Sequence, residues 1–278
     1  MADGNGRLSR LKGAEQDLET AERIPPTPQS SAPAYKLAFA DTDFLKRDEL
    51  RPVRLQLELL KPEIILRERG VRSTVIMFGG SRIPRPGEEP RGKTKKIRQN
   101  LESVAKYYEE ARLFAQFVSK ESLRRYGHEF VIATGGGPGI MEAGNLGAQE
   151  VGAASIGLNI FLPHEQAPNE YVTPDLCFNF HYFAIRKMHF LMRAKAIAIF
   201  PGGFGTLDEL FEVLTLIQTQ RMDPVPIVLF GEGFWRKIID FDALKDAGTI
   251  APEDLELFRF VETGEEAWRV IAEHYDVE

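Results

Sequence analysis

The sequence predicts an α/β protein built on a doubly wound parallel sheet, and three observations predict it. Short apolar runs recur at Thr74–Phe78, 129–133, 154–159, 176–180, 196–200 and 226–230. They are continuous rather than alternating, as strands covered on both faces of a parallel sheet require. Stretches with helical spacing lie between most of them, the order that right-handed strand–helix–strand crossovers produce. Three glycine-rich segments follow three of the strand candidates, where an open sheet of this class binds its ligands.

Taken in order, residues 1–34 alternate charges with small residues and then carry Pro25, Pro26, Pro28 and Pro33. Such a segment cannot supply a packed core and is expected to be a flexible tail. Residues 35–71 form an expected helical extension, with Leu55, Leu59, Ile64 and Leu66 as its apolar stripe. Pro52 suits a first helical turn, but Pro62 is expected to divide this stretch into two short helices. From 72 to 278 strands and helices alternate. The helices are expected at 97–119, 140–151, 183–194, 206–219, 234–247 and 265–274, with no internal repeat.

Composition removes several function classes. With 43% apolar and 27% charged residues the chain is an ordinary globular one. A net charge of −6 gives no overall attraction to nucleic acid. The single cysteine, Cys177, rules out an internal disulfide and a cysteine-built zinc site, and the five histidines form no HExxH pair. No apolar h-region and no apolar run near the ~20 residues of a membrane span is present. The expectation is a cytoplasmic protein with no metal, no cofactor and no membrane or nucleic-acid partner.

The glycine segments are 79–82 (Gly79-Gly80-Ser81-Arg82), 134–142 (Thr134-Gly135-Gly136-Gly137-Pro138-Gly139-Ile140-Met141-Glu142) and 201–206 (Pro201-Gly202-Gly203-Phe204-Gly205-Thr206). Glycines there let backbone approach a phosphate, and the helix that follows aims free N–H groups and its positive end at the anion. Three such turns point to a phosphorylated small molecule of nucleotide size. The dinucleotide fingerprint GxGxxG fails, because the sixth position is Ile140, Glu142 or Asp208 in the three registers tested. A Walker A match at 87–94 (Gly87-Glu88-Glu89-Pro90-Arg91-Gly92-Lys93-Thr94) is complete in its letters. Pro84 and Pro86 separate it from its strand, however, and two carboxylates would sit beside the phosphates. It is better read as part of a basic loop holding Arg82, Arg85, Arg91, Lys93, Lys95, Lys96 and Arg98. Such a loop could be a solvated stretch or a lid that attracts a phosphorylated substrate.

The third turn runs on into Leu207-Asp208-Glu209, an acid beside an expected phosphate site. The whole segment, 201–209, resembles the PGGxGTxxE motif of the LOG ("Lonely guy") family, phosphoribohydrolases that release the base from nucleoside 5′-monophosphates. The turn at 135–142 resembles that family's second glycine motif, and Arg186-Lys187 its Arg-Lys pair. Short members have Glu before that pair where this chain has Ile185, and they lack the N-terminal extension. Both features point to a longer bacterial branch with the base open between a cytokinin, adenine or another. Family members also carry the description possible lysine decarboxylase, although nothing in the residues points to pyridoxal phosphate chemistry.

The resemblance implies a Rossmann-like fold over residues 72–278. It also implies a phosphate held by Gly202, Gly203, Gly205 and Thr206, with Glu209 and Arg186 as the catalytic pair. Gly136, Gly137, Glu142 and Lys187 would line the nucleotide pocket. A homodimer or higher homo-oligomer and a nucleoside monophosphate substrate are implied as well. The other reading is a protein of the same fold that binds or carries a nucleotide or the molybdenum cofactor without cleaving it. Such a carrier would need the glycine turns but not the acid.

Overall fold

The computed structural model describes residues 12–162 and 167–277. The chain separates into two compact units, one ending at Leu57 and one beginning at Glu58. The first unit contains α1 (Ala14–Glu22), none of whose side chains is buried, and the four-residue α2 (Thr42–Leu45), capped by the Asp41 carboxylate. Of the expected tail, residues 1–11 lie outside the described residues.

Helix α3 (Arg51–Glu68) begins in the first unit and ends in the second. The expectation of two short helices is corrected here, since α3 runs unbroken through Pro62. Proline removes the N–H that would bond the carbonyl four residues earlier, which is that of Glu58. That carbonyl is instead 3.2 Å from Nε2 of His189, so the ring donates the bond the proline lacks.

The second unit alternates β1 (Thr74–Phe78), α4 (Lys95–Val104), α5 (Lys106–Arg124), β2 (Val131–Thr134), α6 (Ile140–Glu150), β3 (Ser155–Ile160), β4 (Cys177–Phe180), α7 (Phe183–Leu191) and β5 (Ala194–Ile199). It continues with α8 (Phe204–Gln218), β6 (Ile227–Phe230), α9 (Glu232–Ile238), α10 (Phe241–Asp246), β7 (Arg259–Val261) and α11 (Gly264–His274). The strands form one seven-stranded sheet in the order β4-β3-β2-β1-β5-β6-β7, parallel at every pairing. This is the doubly wound sheet the sequence predicts. The chain lays β1 to β4 outward in one direction, then returns to place β5 on the other side of β1. The switch point therefore lies between the carboxyl ends of β1 and β5, where this class of fold opens a crevice.

Both faces of the sheet are covered, which explains the continuous apolar runs. Val75, Met77, Ile132, Ala196, Ala198 and Val228 pack with α5, α6 and α11 on one face. Ile76, Phe78, Ala133, Leu158, Ile197 and Leu229 pack with α7, α8, α9 and α10 on the other. Two expected helices are each divided in two. Ala105 separates α4 from α5 through three-residue links, Ala105 N–H to Glu102 O and Tyr108 N–H to Ala105 O. Asp240 starts α10 by accepting from the Ala243 N–H at 2.9 Å. Among the described residues no helix is long and apolar enough to cross a membrane.

Candidate active site

The three glycine turns converge at the switch point. The β1 turn is tied to the β5 turn, where the Gly80 N–H donates to Pro201 O at 2.9 Å. The β2 turn closes over the β1 turn, and Gly139, at φ +70°, presses so close to Gly80 O and Ser81 that any Cβ would collide with them. Gly136, at φ +73°, likewise leaves no room beside the Asn159 side chain. L-residues avoid that backbone region, so these two glycines are required by conformation and by space at once.

A buried polar network supports the β2 turn. Thr134 Oγ1 donates to Asn145 Oδ1 at 2.8 Å and accepts from the Gly136 N–H at 2.9 Å. Asn145 Nδ2 donates to Ser155 Oγ, and Asn169 donates to Asn145 Oδ1 and to Gly137 O. The carbonyls of Gly136 and Gly137 are thus both held by Asn169. Asn145 and Asn169 escaped sequence reasoning. The one available signal was a lone asparagine in the apolar and small-residue stretch of α6.

The β5 turn differs in having open space. Nothing lies within 4 Å of where a Cβ on Gly203 or Gly205 would stand, whereas Gly202 is closed by the Thr206 side chain. Gly203 is the N-cap of α8 and offers no side-chain cap. The first-turn N–H groups of a fifteen-residue helix therefore face an accessible glycine surface, a ready anion site.

One and a half turns further along α8 stands Glu209. Its side chain is 15% exposed and its Oε1 is 3.9 Å from Nη1 of Arg186. Burial pushes the Glu209 carboxyl up to about 7; Arg186 and Lys187 oppose the rise, and Asp208 and Glu212 add to it. Arg186 comes from α7 and is oriented twice. Its Nε donates to Leu158 O at 2.7 Å, and its guanidinium lies 5.0 Å from the Phe190 ring centroid. Gly135 passes directly against that guanidinium, with no room for a side chain between them. Lys187, expected in the nucleotide pocket, reaches Asp208 at 2.6 Å and Glu212 at 3.3 Å. Glu142 accepts from the Tyr108 hydroxyl at 2.6 Å.

Helix α7 is itself held at its start. The Glu58 carboxylate accepts from the N–H groups of His181 and Tyr182 at 2.8 and 3.1 Å. Glu63 forms a two-bond ion pair with Arg193 beyond the other end of α7. Tyr108 and Glu58 are neighbours of the candidate site that the sequence did not point to, since both come from segments far away in the chain. The Walker A match lies in a loop and ends at Thr94, which caps α4 by accepting from the Ile97 N–H. It does not leave β1 directly, so it lacks the strand-to-helix placement of a P-loop.

Residues 141–271 match the family described as "Possible lysine decarboxylase". Over 90 residues the chain is 30% identical to the cytokinin riboside 5′-monophosphate phosphoribohydrolase LOG3 of Arabidopsis thaliana, a stretch that is 32% of this chain and 42% of that protein. Over 68 residues it is 35% identical to LOG1 of the same organism and the same description, covering 24% and 32% respectively. The matched stretch spans less than half the length of either relative. Among solved structures, the structural-genomics target TM1055 aligns at 18% identity with a TM-score of 0.47, over 72% of this chain and 99% of that one. A Moco carrier protein from Chlamydomonas reinhardtii aligns at 17% identity with a TM-score of 0.46, over 74% and 98%. The PGGxGTxxE segment and the Arg186-Lys187 pair both fall inside residues 141–271, so the stretch that is similar to this family contains the residues that carry the resemblance.

Proposed function

We propose that the protein hydrolyses the N-glycosidic bond of a nucleoside 5′-monophosphate, releasing the free base and ribose 5-phosphate. The observation that carries this reading is a buried carboxyl poised near neutrality. Glu209 sits beside Arg186 on the helix whose N-terminus presents open glycine backbone. The matched relatives are phosphoribohydrolases by name, which supports the same chemistry.

In this reading the 5′-phosphate docks on the N–H groups of Gly203, Phe204 and Gly205, with Thr206 behind them. That placement puts the ribose toward Glu209. Departure of the base leaves an oxocarbenium-like sugar, and an ionised Glu209 stabilises that cation and takes a proton from the attacking water. Arg186 is no proton donor, because a guanidinium stays charged at any working pH. It supplies charge and hydrogen bonds as negative charge builds on the leaving base, which takes its proton from solvent while Glu209 returns to solvent the one it took from water. Lys187 aligns Asp208 and Glu212 and moderates the rise at Glu209. The residues do not suit the pyridoxal phosphate chemistry that the word decarboxylase suggests. The lysine nearest the acid is ion-paired twice and its pKa is raised despite burial, which opposes the neutral amine a Schiff base needs.

Incubation with a panel of nucleoside monophosphates, with chromatography of the products, tests this. Free base and ribose 5-phosphate are expected, with turnover reduced at least 100-fold, on the order of what single transition-state contacts contribute, in Glu209→Ala and Arg186→Ala. Tight binding with no cleavage of any member would establish a carrier instead. The homodimer implied by the family is checked by a mass measurement in solution.

A further inference from the structure

The base of the substrate is unassigned so far, and its identification rests on the hydrolase reading. A cavity of about 850 Å³ lies against the turns that leave β1 and β2. Ser81 from the first turn and Pro138 and Gly139 from the second are among its walls. Both turns also reach the proposed reaction centre. Gly80 bonds Pro201 of the phosphate turn, and Gly135 lies against the Arg186 guanidinium. From Gly135 to Gly139 the backbone spans at most about 14 Å. One nucleotide can therefore touch the phosphate turn, the catalytic pair and this cavity together.

The lining selects the ligand. Arg82, Arg85, Arg91 and Lys93 contribute to it, and among the described residues no carboxylate comes within 4.0 Å of any of the four cations. Arg85 lies 5.9 Å from the ring centroid of the buried Tyr108, which backs the guanidinium from the wall side. The Tyr108 hydroxyl donates to Oε1 of Glu142, fixing a carboxylate on the same wall. Glu88 and Glu89 add further acceptors on the loop. A prenyl chain placed here would strip water from charged groups and return nothing. A base rich in oxygen and ring-nitrogen acceptors would satisfy the guanidinium donors. Of the purines, a 6-oxopurine offers adjacent O6 and N7 acceptors that arginine bonds bidentately. Its N1–H matches a carboxylate, as does the 2-amino group of guanine.

We propose that this cavity receives the leaving base and selects an unprenylated 6-oxopurine, so that the substrate class is a guanine or hypoxanthine nucleoside 5′-monophosphate. The test is kcat/KM of the full chain on GMP, IMP, AMP and isopentenyl-AMP. GMP or IMP is expected to exceed AMP at least tenfold and isopentenyl-AMP at least a hundredfold. Arg85→Ala is expected to bring the GMP-to-AMP ratio toward one, and Arg85→Lys, which keeps the charge but not the fork, to lower it as well. A preference for isopentenyl-AMP, or an Arg85 variant that slows every substrate alike, overturns the proposal. If no nucleotide is cleaved, the hydrolase reading fails separately and calorimetry with the same four nucleotides decides the base. Tighter binding of GMP or IMP that weakens in Arg85→Ala upholds the selection, and equal affinities overturn it.

Discussion

Glu209 stands in the second turn of α8, close enough to the helix N-terminus and to Arg186 that both favour its ionised form. Burial is the larger effect and lifts the carboxyl to about 7. As a base it must be ionised, so kcat/KM is expected to climb with pH and level off above about 7. A profile that stays flat from pH 5.5 to 8.5 would remove Glu209 from that role. Lys187→Met deletes a cation that lowers this pKa and releases Asp208 and Glu212, which raise it. The midpoint of the profile is therefore expected to move to higher pH, a shift that simple loss of folded protein cannot produce. Arg186 and Glu209 were named together by the family resemblance, and the structure brings them to 3.9 Å. The electrostatic state of Glu209 was not legible in the sequence, because desolvation depends on what the rest of the fold places around it.

At the scale of elements, α3 and α7 work as a pair. Pro62 frees the Glu58 carbonyl for His189, while the Glu58 side chain holds the first N–H groups of α7. One residue of α3 thereby fixes α7 near its start and again beyond Arg186. Glu58→Ala leaves two backbone donors without a protein partner and is expected to cost about 1 kcal/mol of stability. Through a looser Arg186 it is also expected to slow turnover on the order of tenfold. Glu58→Gln keeps one acceptor and should recover most of both, as thermal melts and kcat would show. An unchanged kcat in Glu58→Ala would show that α7 needs no such anchor. Proline inside a helix reads as a break because sequence spacing cannot reveal a partner such as His189, 131 positions from Glu58. Strand β7 was missed for another reason. Its three residues begin with exposed Arg259 and make no apolar run. The α4–α5 break at Ala105 is silent too, since alanine is the best helix former and the apolar spacing continues across it.

Across the whole molecule the doubly wound parallel sheet and the glycine turns were legible, because each is written in strand-length apolar runs and in residues that end them, whereas the strand order and the switch point came only with the structure. The coupling between distant ionisable groups was not legible either, and it sets the stability of the protein near neutrality. Burial raises the folded pKa of Glu209 above its unfolded value. The stability tied to it is fully present below about pH 4.5 and is lost as pH rises through about 7. Burial lowers the folded pKa of His189, whose ring faces Glu63 at 3.8 Å and feels the opposing charge of Arg193. Its sign is the reverse: the unfolded chain takes the proton first, so stability is lost as pH falls below about 6.5. Between pH 5 and 7 the two groups tilt the stability curve in opposite directions and flatten it. Glu209→Gln removes the alkaline loss and is expected to stabilise the protein at pH 8 by about 3 kcal/mol, leaving a melting temperature that rises from pH 5 to 7. His189→Gln keeps a donor for the Glu58 carbonyl while removing the titration, and its melting temperature is expected to fall over the same range. Melting curves of the two variants that slope the same way would show that the flat region has another origin, whereas opposite slopes identify Glu209 as a carboxyl whose burial in the candidate site is maintained at the expense of stability.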